Sequence, residues 1–392
     1  MKWMIGVSLG ELMLKGKNRM TFVNKSVKQI RKACEEYNLG GHIFDQGKLF
    51  FDAPKEEFGP IIEKIKMVFG LAFVYECVAV EKNYEAIEEG IKELLSGDDK
   101  NYTFKAKGNR ADKSFPENSM QIAAKVGGLV LKNFRNYKVD IKNPERTVYI
   151  DIRSKAYLYY DRQECIGGLP LGTGGKALLL LSGGIDSPVA GFEIARRGVE
   201  IGAIHFHSYP FTSERALDKA KRLAEKLSIY VGDIYFYNVN LLDIYTAINK
   251  NCRSRFTTIL ARRFMMRIGE RLAEKYRYDG FVTGEALGQV ASQTIQSISV
   301  VNDATRLPIL RPLINMDKTE IIKIAEKIET YDISIEPYDD CCSFFAPDRP
   351  ATKPRLHDIL AEEEKLDIES LVEDALDNIE TFKVSVGDDS DD

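Results

Sequence analysis

The sequence predicts an α/β chain in which two N-terminal α+β segments precede a doubly wound parallel-sheet domain. Three observations carry this: a β-α-β-β-α-β order of elements at the start, a glycine-rich stretch at 167–175, and apolar strands alternating with amphipathic helices beyond it. With 392 residues, 44% hydrophobic and 29% charged, the chain is long enough for two or three domains with their own cores. Apolar runs such as Ala177 to Leu181 stop far short of the roughly 20 residues that span a bilayer, so no membrane helix is expected. The opening Met1-Lys2-Trp3-Met4-Ile5-Gly6-Val7 reads as a strand and not as a signal peptide, which places the protein in the cytoplasm.

The periodicities give a strand at 2–8, a helix at 20–37, strands within 41–52, a helix at 56–67 and a strand at 72–80. That order is the split βαβ of ferredoxin-like folds. It is assigned to residues 1–60, or to about residue 80 if its last strand is counted. A helix at 84–96, a strand at 102–107, a helix at 117–133 and strands within 147–163 form a second domain, 61–165. Residues 166–175, with Gly167, Gly168, Gly172, Gly174 and Gly175 around Pro170, read as a linker.

Within 176–385, strands at Ala177 to Leu181, Val199 to Phe206, Ile234 to Val239 and Gly280 to Thr283 alternate with helices starting at Ser187 and Ser213 and a long helix over 257–276. This predicts a parallel sheet covered by helices on both faces. The segment from Asp317 reads as helical, and the acidic tail 386–392 as disordered. No internal repeat is present.

The sharpest local feature is Leu178-Leu179-Leu180-Leu181-Ser182-Gly183-Gly184-Ile185-Asp186-Ser187, a buried-type strand entering a Gly-Gly turn and then a helix with Pro188 in its first turn. Glycines admit close backbone approach, and a helix N-terminus presents unpaired N–H groups to an anion. Ser182 and Ser187 add hydroxyl donors; Asp186 would repel phosphate unless a divalent cation lay between, which makes it the natural Mg²⁺ ligand. Gly172-Thr173-Gly174-Gly175-Lys176 is not a Walker loop, because it precedes the strand and Ala177 stands where Ser or Thr is required.

The formal charge of −4 is unevenly divided. Residues 351–392 carry 4 basic against 14 acidic side chains, whereas 101–150 carry 10 against 4, so a basic surface suited to a polyanion is expected in the first half. Six cysteines (Cys34, Cys77, Cys165, Cys252, Cys341, Cys342) without a C-x-x-C pair indicate free thiols, not a disulfide scaffold or structural zinc. His205 and His207 have no partner at ligand spacing, so zinc is not expected there either.

The Ser182–Ser187 loop resembles that of the ATP pyrophosphatase (PP-loop) superfamily, which splits ATP between its α and β phosphates and adenylates an oxygen. The whole chain resembles the tRNA 4-thiouridine synthases that also serve thiamine thiazole synthesis. The resemblance rests on Leu9-Gly10-Glu11-Leu12-Met13-Leu14-Lys15-Gly16-Lys17-Asn18-Arg19, on Phe104-Lys105-Ala106-Lys107-Gly108-Asn109-Arg110-Ala111-Asp112-Lys113-Ser114-Phe115-Pro116 (similar to the core of a THUMP RNA-binding domain), on Ile204 to Glu214, on Arg311 to Lys318 and on Asp339-Asp340-Cys341-Cys342, in the family's order.

It implies a ferredoxin-like domain, a THUMP domain and an adenine nucleotide α hydrolase-like PP-loop domain. It implies an ATP-dependent tRNA sulfurtransferase that adenylates uridine at position 8 and transfers persulfide sulfur to give 4-thiouridine, with a role in sulfur transfer for thiazole synthesis. ATP and Mg²⁺ are the implied cofactors. The implied partners are tRNA, a cysteine desulfurase and a thiamine-pathway sulfur carrier protein; a homodimer stays open.

The resemblance carries ATP contacts onto Leu180, Leu181, His205, Phe206, Arg262, Gly284 and Gln293, beside Ser182, Gly183, Gly184, Asp186 and Ser187 of the loop. It makes Lys318 catalytic, neutralising charge as pyrophosphate leaves, and Cys341 the sulfur carrier, with Cys342 or Cys252 resolving the persulfide. Many relatives end in a rhodanese domain for which this chain has no room after Asp358, so a desulfurase is expected to load Cys341 directly. An iron–sulfur cluster is not expected. Lys15, Lys17, Arg19, Lys105, Lys107, Arg110 and Lys113 suit RNA phosphates, while Phe115 reads as core more than as a base-stacking ring. Arg263 and Arg267, four apart, read as a solvated or RNA-facing stripe. The competing readings are a PP-loop amidating ligase, which leaves the basic modules and Cys341 idle, and a non-catalytic RNA-binding or sulfur-relay protein.

Overall fold

The computed structural model describes residues 1–14, 16–290, 292–338 and 345–387; of Met13, Leu14 and Lys17 only the backbone is described. The chain forms two compact units, Met1–Pro170 and Leu171–Asp392.

In the first unit the chain runs β1 (Lys2–Leu9), α1 (Arg19–Ala33), β2 (His42–Asp45), β3 (Lys48–Phe51), α2 (Phe58–Lys66), β4 (Leu71–Val80), α3 (Tyr84–Leu94), β5 (Tyr102–Arg110), α4 (Ser119–Asn133), β6 (Tyr137–Val139), β7 (Arg146–Ile152), β8 (Ala156–Tyr160) and β9 (Gln163–Glu164). One sheet contains all nine strands, in the order β2-β3-β1-β4-β8-β7-β5-β6 with β9 beside β4. The two segments that read as separate domains therefore share a sheet. Ten-residue β4 does this: it pairs with β1 along one edge and, along the other, with β8 at Val78–Val80 and β9 at Phe73–Val74. Each segment still keeps its own helix-covered core. Ile5, Val7, Leu49, Phe51 and Val74 lie with apolar residues of α1 and α2, and Val78, Val148, Ile150 and Leu158 with those of α3 and α4. The alternate strand positions build an aromatic layer in which Phe50 stacks on Tyr157 at 3.7 Å and Tyr75 on Tyr159 at 3.9 Å. Helix α1 ends at Ala33, four residues before the expected 37.

In the second unit the elements are β10 (Lys176–Leu180), α5 (Asp186–Ala195), β11 (Glu200–His207), α6 (Glu214–Val231), β12 (Ile234–Asn240), α7 (Leu242–Asn251), α8 (Thr257–Tyr276), β13 (Gly280–Val282), α9 (Ile295–Asn302), β14 (Ile309–Leu310), α10 (Lys318–Lys327), α11 (Tyr331–Ser334), α12 (Leu356–Glu363), α13 (Ile368–Asp377) and β15 (Glu380–Val384). The sheet order is β14-β13-β10-β11-β12-β15, parallel except for β15, which pairs antiparallel with β12. The chain thus winds outward from β10 in both directions, as a doubly wound fold requires. Leu178 faces the core cluster of α7 and α8, and Leu179 faces α5, where Gly191 gives it room: a Cβ at Gly191 would lie 2.6 Å from Leu179. The segment after Asp317 is not wholly helical, since it ends in β15; Phe382 of that strand packs on Phe236 of β12 with ring centroids 6.3 Å apart.

The expected solvated stripe on α8 is instead an internal ion network. Arg263 is 1% exposed and donates to Glu363 of α12 at 2.8 and 2.9 Å; Arg267 donates to the same carboxylate at 2.6 and 2.8 Å. Spacing alone cannot tell a solvated arginine from one whose partner lies a hundred residues away. Two of the acidic residues of the C-terminal excess, Glu362 and Glu363, are buried, and Glu362 accepts from Arg253 at 2.5 Å. Among the described residues no helix is long and apolar enough to cross a membrane.

Burial raises the Glu363 carboxyl, but Arg267 and Arg263 outweigh it and hold the group below the usual carboxylate range. Replacing Glu363 by Gln removes the charge shared by Arg263 and Arg267, leaving Arg263, among the described residues, only Asp303 as an ionic partner, and is expected to cost about 3 kcal/mol in urea unfolding. The lowered carboxyl contributes fully above the ordinary carboxylate pKa, and the contribution is lost as pH falls through the folded value. Wild type and Glu363→Gln should therefore converge only in acid; equal stability at neutral pH would show that the network contributes nothing.

Candidate functional site

The site forms at the carboxyl end of β10, where neighbouring strands are reached in opposite directions and an open α/β sheet leaves a crevice. The Ser182–Ile185 turn leads into α5, and two serines fold it onto itself. The Ser182 N–H donates to Ser187 Oγ at 2.9 Å, Ser187 Oγ donates to the Ser182 carbonyl at 3.2 Å, and the Gly184 N–H donates to Ser182 Oγ at 3.2 Å. Ser187, only 4% exposed, serves mainly as this staple.

Gly284, two residues past β13, lies against the start of α5. A Cβ there would stand 2.7 Å from the Ser187 backbone nitrogen, which explains a glycine without invoking unusual dihedrals. Lys318, the first residue of α10, lies 132 positions from Asp186 yet its ammonium is 2.5 Å from the Asp186 carboxylate.

The cleft has an apolar part, from Leu180, Ile204, Phe206, Met265, Met266 and Val301, and a charged part. In the latter, Glu285 accepts from Arg262 Nη1 at 2.6 Å, from Arg311 Nε at 2.6 Å and from Thr283 Oγ1 at 3.1 Å. Burial raises the Glu285 carboxyl, but the Arg262 and Arg311 guanidiniums more than offset this and hold it low. A flat apolar slot leading to a helix N-terminus, with cations at its rim, suits a nucleotide. Asp186 is the carboxylate at the start of α5. Among the described residues no group of three or more His, Cys, Asp or Glu forms a metal site, so a Mg²⁺ ion fits here only if phosphate oxygens complete its shell.

Of the nominated nucleotide residues, Leu180, Leu181, Ser182, Asp186, Ser187, Phe206, Arg262, Gly284 and Gln293 line the cleft. Gly183 and Gly184 form the turn behind it. The His205 side chain does not line the cleft: strand alternation turns it away from Ile204 and Phe206, and its Nδ1 donates to the Leu181 carbonyl at 2.9 Å. That carbonyl can only accept, so the proton is on Nδ1. His207 accepts the Tyr209 N–H on Nδ1 at 3.2 Å, and burial, then the nearby His205, pushes its pKa down to about 4.

The basic residues are divided. Lys107 and half-buried Lys105 lie on the face of β5 opposite α4, while Arg110 lies on the α4 side and donates to the Phe115 carbonyl at 3.1 Å. Lys113 is exposed, Arg19 starts α1, and Lys17 lies in the short turn Gly16–Asn18. Phe115 is buried in the α3–α4 core. Cys252 is half-buried and its thiol donates to the Glu362 carbonyl at 3.5 Å. Lys15, Cys341 and Cys342 lie outside the described residues. Phe345, the next described residue, stacks on Tyr245 at 4.3 Å.

Sequence reading missed Glu285, Arg311, Thr283, Met265 and Met266. Glu285 and Arg311 each follow the carboxyl end of a strand, β13 and β14, which is where such folds bind ligands. The strand at Gly280 to Thr283 was legible, and its carboxyl end could have pointed to Glu285; two-residue β14 before Arg311 is too short to register as a period.

Comparison with known proteins places this geometry. A family model described as Thiamine biosynthesis protein (ThiI) matches residues 172–368, a THUMP domain model matches 81–161, and a ThiI ferredoxin-like domain model matches 4–74. A probable tRNA sulfurtransferase of Finegoldia magna is 52% identical over 386 residues, spanning 97% of this chain and 99% of the relative. One of Alkaliphilus oremlandii is 45% identical over 390 residues, spanning 97% and 98%. The crystal structure of a 4-thiouridine synthetase–RNA complex with bound ATP matches with a TM-score of 0.86 and 35% identity, covering 98% of this chain and all of that one.

Two outcomes follow from the geometry. Gly284→Ala should weaken Mg-ATP binding by about tenfold or more in equilibrium dialysis, because its methyl meets backbone that cannot swing aside; native affinity would place the nucleotide elsewhere. In an NMR titration the His207 ring should stay neutral down to pH 5, whereas a midpoint near the ordinary value of about 6.5 would contradict its burial.

Proposed function

Because the chain belongs to the tRNA sulfurtransferase family, we propose that it uses ATP to adenylate uridine at position 8 of tRNA and then replaces the uracil O4 with sulfur carried on Cys341. The observation that carries the ATP half is the meeting of Asp186 and Lys318 at the start of α5, beside the apolar slot. The adenine fits among Phe206, Met265 and Met266, and the phosphates fit along the Ser182–Ser187 turn. Bound Mg²⁺ would offset phosphate charge beside Asp186, leaving Lys318 to neutralise the departing pyrophosphate. Attack of O4 on the α-phosphorus breaks the α–β bridge, releases pyrophosphate and leaves AMP as a good leaving group on C4.

The sulfur half balances as follows. The terminal sulfur of a Cys341 persulfide attacks C4 and expels AMP, giving a C4–S–S–Cys341 adduct. A second thiolate then attacks Cys341 Sγ, forming a disulfide and releasing 4-thiouridine; an external thiol reduces the disulfide for the next turnover. The second thiol is Cys342 or Cys252: burial, with Glu362 adding to it, raises the Cys252 thiol, whereas a disulfide between adjacent Cys341 and Cys342 is strained.

The proposed division of labour gives tRNA binding to the ferredoxin-like segment (1–60, or to about 80) and the THUMP segment (61–165), through Lys15, Lys17, Arg19, Lys105, Lys107, Arg110 and Lys113, and catalysis to 176–385. A cysteine desulfurase in the cytoplasm loads Cys341, and the same persulfide serves thiazole synthesis through a sulfur carrier protein.

The test incubates the protein with unmodified tRNA, Mg-ATP, cysteine and a cysteine desulfurase, followed by nuclease digestion and mass spectrometry. 4-Thiouridine should appear only with ATP, and should disappear in Cys341→Ala and in Asp186→Ala. Thiolation that survives Asp186→Ala would favour a relay protein. Absence of both 4-thiouridine and pyrophosphate would favour the amidating ligase.

A further inference from the structure

We propose that Glu285 and Arg311 are positioning residues that hold Arg262 in place as the cation facing the phosphate chain of the nucleotide; this rests on the nucleotide reading of the cleft given above. Three separate elements converge here: Arg262 from α8, Glu285 from the turn after β13, and Arg311 just beyond β14. Arg311 is held by three acceptors: its Nε donates to Glu285 at 2.6 Å, its Nη2 to Asn302 Oδ1 at 2.7 Å and its Nη1 to the Ile309 carbonyl at 3.4 Å. With three of its five N–H donors so engaged, Arg311 is itself fixed at the edge of the cleft and serves to anchor Glu285.

It fixes one carboxylate oxygen of Glu285, and the other accepts from Arg262 Nη1 at 2.6 Å. The bond to Glu285 uses one nitrogen of the Arg262 fork, and Arg262 lines the cleft beside the apolar slot. The order of dependence is therefore Asn302 to Arg311 to Glu285 to Arg262. A buried carboxylate in the wall of an anion site is explained by this chain, since two guanidiniums neutralise it and leave the group with one net positive charge. It also argues against Glu285 as a general base, because both its oxygens already accept charge-assisted hydrogen bonds.

Preorganisation is the benefit: a guanidinium already aligned loses little freedom when phosphate arrives. Removing the carboxylate frees Arg262 to swing out of the cleft and leaves two like charges close together.

The test compares wild type with Glu285→Gln, Glu285→Asp, Arg311→Ala and Arg262→Ala, and with the Glu285→Gln/Arg262→Ala double variant. Mg-ATP affinity is measured by equilibrium dialysis without tRNA, thermal midpoints are recorded alongside, and KM for ATP and kcat are measured for tRNA-dependent pyrophosphate release. Glu285→Gln and Arg311→Ala should each weaken Mg-ATP binding and raise KM by about tenfold, the scale of one charge-assisted hydrogen bond. The double variant should bind no worse than Arg262→Ala alone, because the effect of Glu285 passes through Arg262. Glu285→Asp keeps the charge, and so the fold, but is one methylene too short to span both guanidiniums; it should lose affinity with an unchanged thermal midpoint. Native affinity in Glu285→Gln or Glu285→Asp, or additive losses in the double variant, would overturn the proposal while leaving the nucleotide reading intact. Wild type that binds no Mg-ATP would overturn both.

Discussion

The catalytic unit depends on the position of β10, which has a parallel partner on each side and passes the chain through α5 to only one of them. The backbone must part at the carboxyl end of β10, and the parting leaves a crevice floored by Leu180 and Leu181 and closed by Phe206 on one side and Gly284 on the other. The start of α5 opens into it with its unpaired N–H groups. A chain that wound in one direction only would cover this end with a loop and leave no site. The two serines of the turn serve the same purpose by satisfying backbone groups that phosphate does not need.

Helix α8 divides the unit's electrostatics. Consecutive arginines on it point to different regions: Arg262 to the cleft and Glu285, and Arg263 to Glu363 of α12. The wall of the cleft and the seat of the C-terminal helices are thus two different faces of one helix. Two glutamates of the acidic C-terminal stretch lie inside the fold: Glu363 ties α12 to the helix that carries Met265 and Met266 into the cleft, and Glu362 ties it to Arg253 ahead of that helix.

The first unit builds a continuous sheet from two helix-covered halves, with β4 as the shared strand. Strand alternation sorts its basic residues: Lys105 and Lys107 share one face, whereas Arg110 turns to the other and braces the Phe115 loop. A run of cations that is contiguous in sequence is therefore divided in space. Lys105 and Lys107 can serve one ligand together, while Arg110 also shapes the loop that presents Lys113.

The sequence by itself determined what depends on neighbours along the chain. The long strands and helices and the Gly-Gly turn before a helix with Pro188 were legible, because period and spacing are local properties. Tertiary structure decided what depends on partners far away. The carboxylate that Arg263 pairs with lies a hundred residues on; the His205 side chain points away from the cleft although its strand end lines it; and Arg311 emerges from a strand too short to show a period to meet Glu285. A buried ion pair and an exposed charge have the same one-letter code. Only the fold, by choosing which surfaces lose water, distinguishes them.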